Sequence, residues 1–94
     1  MIIVSGKLYL RPGSLKSFLA ASAEAVAQAR SAPGCRDFVV AADPLETERV
    51  NVYEEWESEQ HLLKFRGEGP DDEIWSSVVS ASVFRHEVSS SGPA

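Results

Sequence analysis

Two strand-like runs in the middle of the chain, CRDFVVAA from Cys35 and RVNVYEEW from Arg49, are joined only by the short stretch from Asp43 to Glu48. A parallel return takes roughly a dozen residues or more, so these runs can pair only as an antiparallel hairpin. Asp43-Pro44 supplies turn chemistry at the end of the first run. Each run alternates. The first carries Cys35, Asp37, Val39 and Ala41 on one side and Arg36, Phe38, Val40 and Ala42 on the other. The second aligns Val50, Val52, Glu54 and Trp56, which puts one carboxylate among three apolar residues.

The flanking segments must fit around that hairpin. MIIVSGKLYL reads as a strand closed by Arg11-Pro12-Gly13, with Gly6 marking a bulge or a close approach to the backbone. LKSFLAASAEAVAQAR follows, with Ser14 at the N-cap position. Leu15, Phe18, Leu19, Ser22, Val26 and Ala29 recur at helical spacing, and Ser31-Ala32-Pro33-Gly34 ends the helix. After the hairpin, Ser58 caps a second helix through EQHLLKFR, which breaks at Gly67-Glu68-Gly69-Pro70. Pro70 with Asp71 or Asp72 can start a short further helix carrying Ile74, Trp75, Val78 and Val79. ASVFRHEV is the last strand.

The order is β-α-β-β-α-β, which predicts an α+β, ferredoxin-like fold with an antiparallel sheet. Residues 1–88 form one domain and 89–94 a polar C-terminal tail. Helices on one sheet face leave the other needing a cover. The apolar groups on both sides of the hairpin therefore point to a homodimer.

Charge narrows the partners. With 14 acidic and 9 basic residues the net charge is -5, and no basic stripe occurs. Nucleic acid and anionic membrane surfaces are poor fits, and no run approaches the ~20 apolar residues of a membrane span. One cysteine, Cys35, fits a reducing cytoplasm. His61 and His86 lie far apart without acidic or thiolate neighbours at ligand spacing, so no metal site is expected. GEGP lacks the strand and the Lys-Ser/Thr of a phosphate loop. His86 reads as a surface or interface residue. What remains is a group of aromatics, Trp56, Phe65 and Trp75, beside the polar His61. They suit either a pocket for a flat apolar ligand or simple packing between sheet and helices.

The chain resembles the antibiotic biosynthesis monooxygenase superfamily, which includes quinol monooxygenases. The resemblance rests on Arg11-Pro12-Gly13, Pro33-Gly34-Cys35, Asp43-Pro44 and above all Tyr53-Glu54-Glu55-Trp56-Glu57-Ser58, in an order that spans most of the chain. It implies a dimeric α+β barrel with a pocket between sheet and helices in each subunit. It further implies oxygenation of electron-rich phenols or quinols without a cofactor. Trp56 matches the family tryptophan. His61 matches a histidine of the quinol-oxidising branch and would be the base. Departures are plain: Phe65 replaces that branch's second histidine, and Val52 and Leu62 replace the Asn and Tyr of the polyketide-oxidising branch. The haem-degrading pattern is absent.

Two readings follow. In the first, the chain oxidises a small aromatic phenol, quinol or polyketide-like substrate with O2. Trp56 and Trp75 hold the ring, Phe65, Val52 and Leu62 line the pocket, His61 takes the proton, and Arg66 or Arg85 steadies the anion. In the second, it is a non-catalytic homodimer, either binding an apolar ligand or acting as an accessory subunit. Glu54 is expected to be buried in an ion pair with Arg36 or Arg85, since burial without a partner is costly.

Overall fold

A computed structural model describes residues 1–67 and 75–94. The elements are β1 (Ile2–Leu10), α1 (Leu15–Ser31), β2 (Cys35–Ala42), β3 (Arg49–Trp56), α2 (Glu59–Gly67) and β4 (Val78–Glu87), the expected β-α-β-β-α-β order. The four strands form one antiparallel sheet in the order β2-β3-β1-β4. β2 and β3 pair as the hairpin that the short connection requires.

Strand alternation gives the sheet two different faces. Directly opposed residues share a face, so the register aligns Phe38, Glu54, Val4 and Arg85 in one inward row. The next inward row runs Val40, Val52, Gly6 and Val83. Helix α1 lays Phe18, Ser22 and Ala29 against this face, and Leu15, Leu19 and Val26 pack at the margin, as the helical spacing predicts. Ser14 occupies the N-cap position, but its side chain makes no capping bond, and its carbonyl accepts from Phe18 N–H and Ser17 Oγ instead. At α2, Ser58 does cap: its Oγ accepts from the His61 N–H at 3.3 Å. The opposite face carries the row Val39, Tyr53, Ser5, Phe84, with Phe84 62% exposed.

Two expectations change. Residue Arg36 is the extra residue of a bulge between Cys35 and Asp37. The bulge moves Cys35 to the inward side, where it packs on the core with Phe38, and breaks the simple alternation read from the sequence. Residues Val78 and Val79 belong to β4, not to a short helix, because their β-branched side chains join the ladder that reaches Leu10 across a register shift. The start of that helix, from Pro70 through Ile74, lies outside the described residues.

Glycine is required at two close approaches. A Cβ on Gly6 would lie 2.1 Å from the Ser82 carbonyl oxygen of β4, so Gly6 lets β4 sit tight on β1. Gly34 has φ of +81°, and a Cβ there would lie 2.2 Å from Cγ of His61. Its carbonyl also accepts from Glu57 N–H at 2.8 Å, which fastens the α1–β2 corner to the start of α2. Replacing Gly34 by Ala adds a left-handed strain of about 1–2 kcal/mol and overpacking of about 1–3 kcal/mol. Chemical denaturation of Gly34→Ala should therefore show a loss of at least ~2 kcal/mol; a loss under ~0.5 kcal/mol would contradict this account of the corner.

Candidate functional site

The inward row of Gly6, Val52 and Val83 is low, and Ala81 beside it is small. The helices do not fill the space above. A cavity of about 520 Å³ opens there, lined among the described residues by Leu8, Phe38, Val52, Glu54, Phe65, Arg66, Trp75, Ala81 and Val83. That volume is within the usual range of small-molecule sites, about 300–1,000 Å³.

Aromatic rings make one wall. Phe65 of α2 meets Phe38 edge-on, with ring centroids 5.8 Å apart and planes at 65°. It also lies 5.3 Å from the Trp56 ring at a tilt of 34°. Trp56 itself is fully buried, and its Nε1–H donates to Glu54 Oε1 at 2.9 Å. The two residues are one alternation apart on β3, so the strand geometry itself brings indole and carboxylate together.

Glu54 is 7% exposed. Burial pushes its carboxyl above the ordinary value, against the opposing pulls of the Trp56 hydrogen bond and the Arg66 charge. Among the described residues it belongs to no ion pair, which corrects the expected Arg36 or Arg85 partner. The bulge carries Arg36 away, and its Nη1 reaches the Met1 sulfur at 3.5 Å. Arg85 stands in the Glu54 row, but β1 intervenes, two strand spacings or about 9.6 Å in all. Arg85 pairs instead with Glu59 of α2.

The structure thus brings Val52, Phe65, Arg66, Trp75 and Glu54 to one cavity and leaves other expected site residues outside its lining. Leu62 is fully buried in the core beside Trp56. Trp56 backs the wall. His61 lies one turn before Phe65, with its Nδ1 in a 2.7 Å hydrogen bond to Ser58 Oγ and its ring against Gly34. Sequence reasoning missed Leu8, Phe38, Ala81 and Val83. Their signal was the strand register, which alternation alone does not supply. Among the described residues, no three His, Cys, Asp or Glu side chains are grouped to hold a metal ion, and no helix is long and apolar enough to cross a membrane.

A family model, antibiotic biosynthesis monooxygenase, matches residues 1–70. Solved structures with the same fold include a candidate antibiotic biosynthesis monooxygenase from Deinococcus radiodurans, with a TM-score of 0.87 and 15% identity over 100% of this chain and 98% of that one. Another, from Nitrosomonas europaea, has a TM-score of 0.82 and 12% identity over 96% and 100%. A third, from Chloroflexus aurantiacus, has a TM-score of 0.76 and 23% identity over 97% and 96%. No curated protein matches.

The burial of Glu54 makes a testable statement about stability. Its ordinary value is 4.5 and its folded value is higher, so as pH rises above 4.5 the unfolded chain ionises first and folded stability falls. Glu54→Gln keeps an acceptor for the indole and removes that ionisation. Urea unfolding should place Glu54→Gln above the parent protein at pH 8, with the gap closing toward pH 4.5, the group's ordinary value. A gap independent of pH would contradict the assignment.

Proposed function

Because this chain belongs to the antibiotic biosynthesis monooxygenase family, we propose that it is a cofactor-independent monooxygenase acting on a small aromatic phenol or quinol with O2. The observation that carries the reading is a cavity walled by Phe38, Phe65 and Trp75 that also holds one buried carboxylate, Glu54. Aromatic walls hold a flat ring, and exclusion of water strengthens every polar contact inside. The substrate supplies the electrons. For a hydroquinone, one oxygen atom enters the ring and the other leaves as water, while the ring passes from quinol to hydroxyquinone. Deprotonation starts the sequence, because the phenolate gives up an electron to oxygen far more readily than the phenol.

Among the described residues, two groups are the candidates to take that proton. His61 is the one implied by the family resemblance, and Glu54 is the one in the cavity wall. The hydrogen bond of His61 to Ser58 and its place outside the lining favour Glu54. Arg66, which lines the same cavity from α2, suits the developing anion. A non-catalytic ligand-binding or accessory role is the second reading, favoured by Val52 and Leu62 where the polyketide-oxidising pattern has polar groups. A cytoplasmic setting suits the lone thiol, Cys35.

The protein is further proposed to work as a homodimer joined through the open sheet face. Val39, Tyr53 and the exposed Phe84 lie in one row there and would bury apolar surface on pairing. Phe84→Asp should turn the dimer into a monomer in sedimentation at micromolar concentration; an unchanged mass would rule out this face.

Oxygen consumption against hydroquinones and anthrones, with no cofactor added, tests the activity. Uptake with one oxygen atom incorporated is expected, and ligand binding without uptake across the panel would favour the non-catalytic reading. His61→Ala should stay within about threefold of the parent, whereas a loss of ~100-fold, the scale of a missing general base, would return the proton to His61.

A further inference from the structure

We propose that Glu54 is the residue that receives the ligand's hydroxyl: its carboxylate accepts a hydrogen bond and then the proton from a neutral phenol, the Trp56 indole holds it in position, and Arg66 takes up the charge. The proton-transfer half of this rests on the oxygenase reading; the hydroxyl contact does not.

The geometry carries it. Among the described lining residues, Glu54 is the side chain that can accept a proton, since Arg66 and Trp75 only donate and the rest are apolar. An ionised carboxylate offers about four acceptor positions. Among the described residues, the one hydrogen bond to it is the indole's, on Oε1. A carboxylate kept at 7% exposure without an ion pair among the described residues is costly to the fold, and a donor-bearing ligand offsets that cost. Trp56 cannot supply or remove a proton under ordinary conditions, so its role is positioning.

The neighbouring charged groups leave Glu54 this task. On β2, the Cys35 thiol faces the same side and is pushed up by burial and then by the charge of Glu54 itself, so it stays protonated. Asp37 and Glu55 stand opposite each other on the outer face, and Asp37 lies 4.0 Å from the Arg30 guanidinium. On β4, Arg85 is engaged by Glu59. From α2, Arg66 lines the cavity and its charge opposes the effect of burial.

The phenolic O–H bond breaks, the proton goes to a Glu54 oxygen, and the electron pair stays on the phenolate. As Glu54 becomes neutral, the negative charge moves onto the ligand within the field of Arg66. The acid form then holds the proton until reduction of oxygen consumes it. The same arrangement selects for ligands with a free hydroxyl and against ring ethers, which leave the carboxylate unpaired. Carboxylated rings meet a like charge.

Binding of 1-naphthol and its methyl ether, followed through tryptophan fluorescence, tests the assignment without relying on turnover. In the wild type at pH 8, naphthol should bind at least about tenfold tighter, the order expected of a hydrogen bond to a buried charge. That preference should shrink as acid protonates Glu54. In Glu54→Gln it should drop to about threefold or less, a neutral acceptor being roughly half as strong, and should no longer change with pH. The wild-type pH dependence stands as evidence even where the variant folds poorly. Equal binding of naphthol and ether to the wild type would overturn the proposal, as would an unchanged preference in Glu54→Gln. Oxygen uptake on a hydroquinone, run in parallel, should fall by ~100-fold or more in Glu54→Gln. Undiminished uptake there would overturn the proton-accepting role while leaving the oxygenase reading intact. A Glu54-dependent preference with no uptake in the wild type would support the hydroxyl contact and count against the oxygenase reading alone.

Discussion

The hydrogen bond from the Trp56 indole to the Glu54 carboxylate is the interaction on which the site depends. It links the most buried aromatic of the core to the carboxylate in the cavity wall, across one alternation of a single strand. A hydrogen bond to a charged group contributes about 1.5–3 kcal/mol, which offsets only part of the several kcal/mol that burial of a carboxylate costs. The remainder keeps Glu54 reluctant to ionise. A fold optimised for stability alone would place an apolar residue there, beside Phe38 and Val4 in the same row.

Placement of that pair depends on the hairpin and its bulge. Without the extra residue at Arg36, simple alternation would align Arg36 with Phe38 and bring a guanidinium toward Glu54. The bulge turns Cys35 inward and leaves Arg36 exposed, its guanidinium reaching the Met1 sulfur. Among the described residues the carboxylate is left outside any ion pair, with Arg66 acting on it only through its charge, and the cavity keeps a proton acceptor. Gly6, Val52, Val83 and Ala81 leave room above the sheet, while Phe65 on α2 closes one side by contact with both Phe38 and Trp56. Gly34 fixes where α2 begins, and so where Phe65 and Arg66 stand.

Much of the fold was legible because it follows from local rules. Hairpin length, the helical stripe of α1 and the Ser58 cap each leave a pattern in a few consecutive residues. The inward side of Val50, Val52, Glu54 and Trp56 was legible for the same reason. Less of the site was. Which strand residues line one cavity depends on register between strands distant in sequence, and nothing local announces that Ala81 and Val83 lie near Val52. A bulge is equally silent: CRDFVVAA alternates well enough without one. His61 drew attention as a polar group beside aromatics and as a match to the quinol-oxidising branch, but its side chain is bonded to Ser58, which caps the helix start. Val78 and Val79 fit a helical spacing as well as a strand, and only pairing with β1 decides between them.

Stability and function pull in opposite directions at Glu54. The carboxylate that weakens the folded state is the group best placed to meet a phenol, as expected where a site is built at some cost to the fold. The most direct measurement is a crystal structure with 4-bromo-1-naphthol, whose bromine marks the ring orientation by anomalous scattering. The ring should lie against Phe65 and Trp75, with its hydroxyl oxygen about 2.6–3.2 Å from a Glu54 carboxylate oxygen, the reach of a general base. A ring bound with its hydroxyl turned away from Glu54, or bound only outside the cavity, would contradict it.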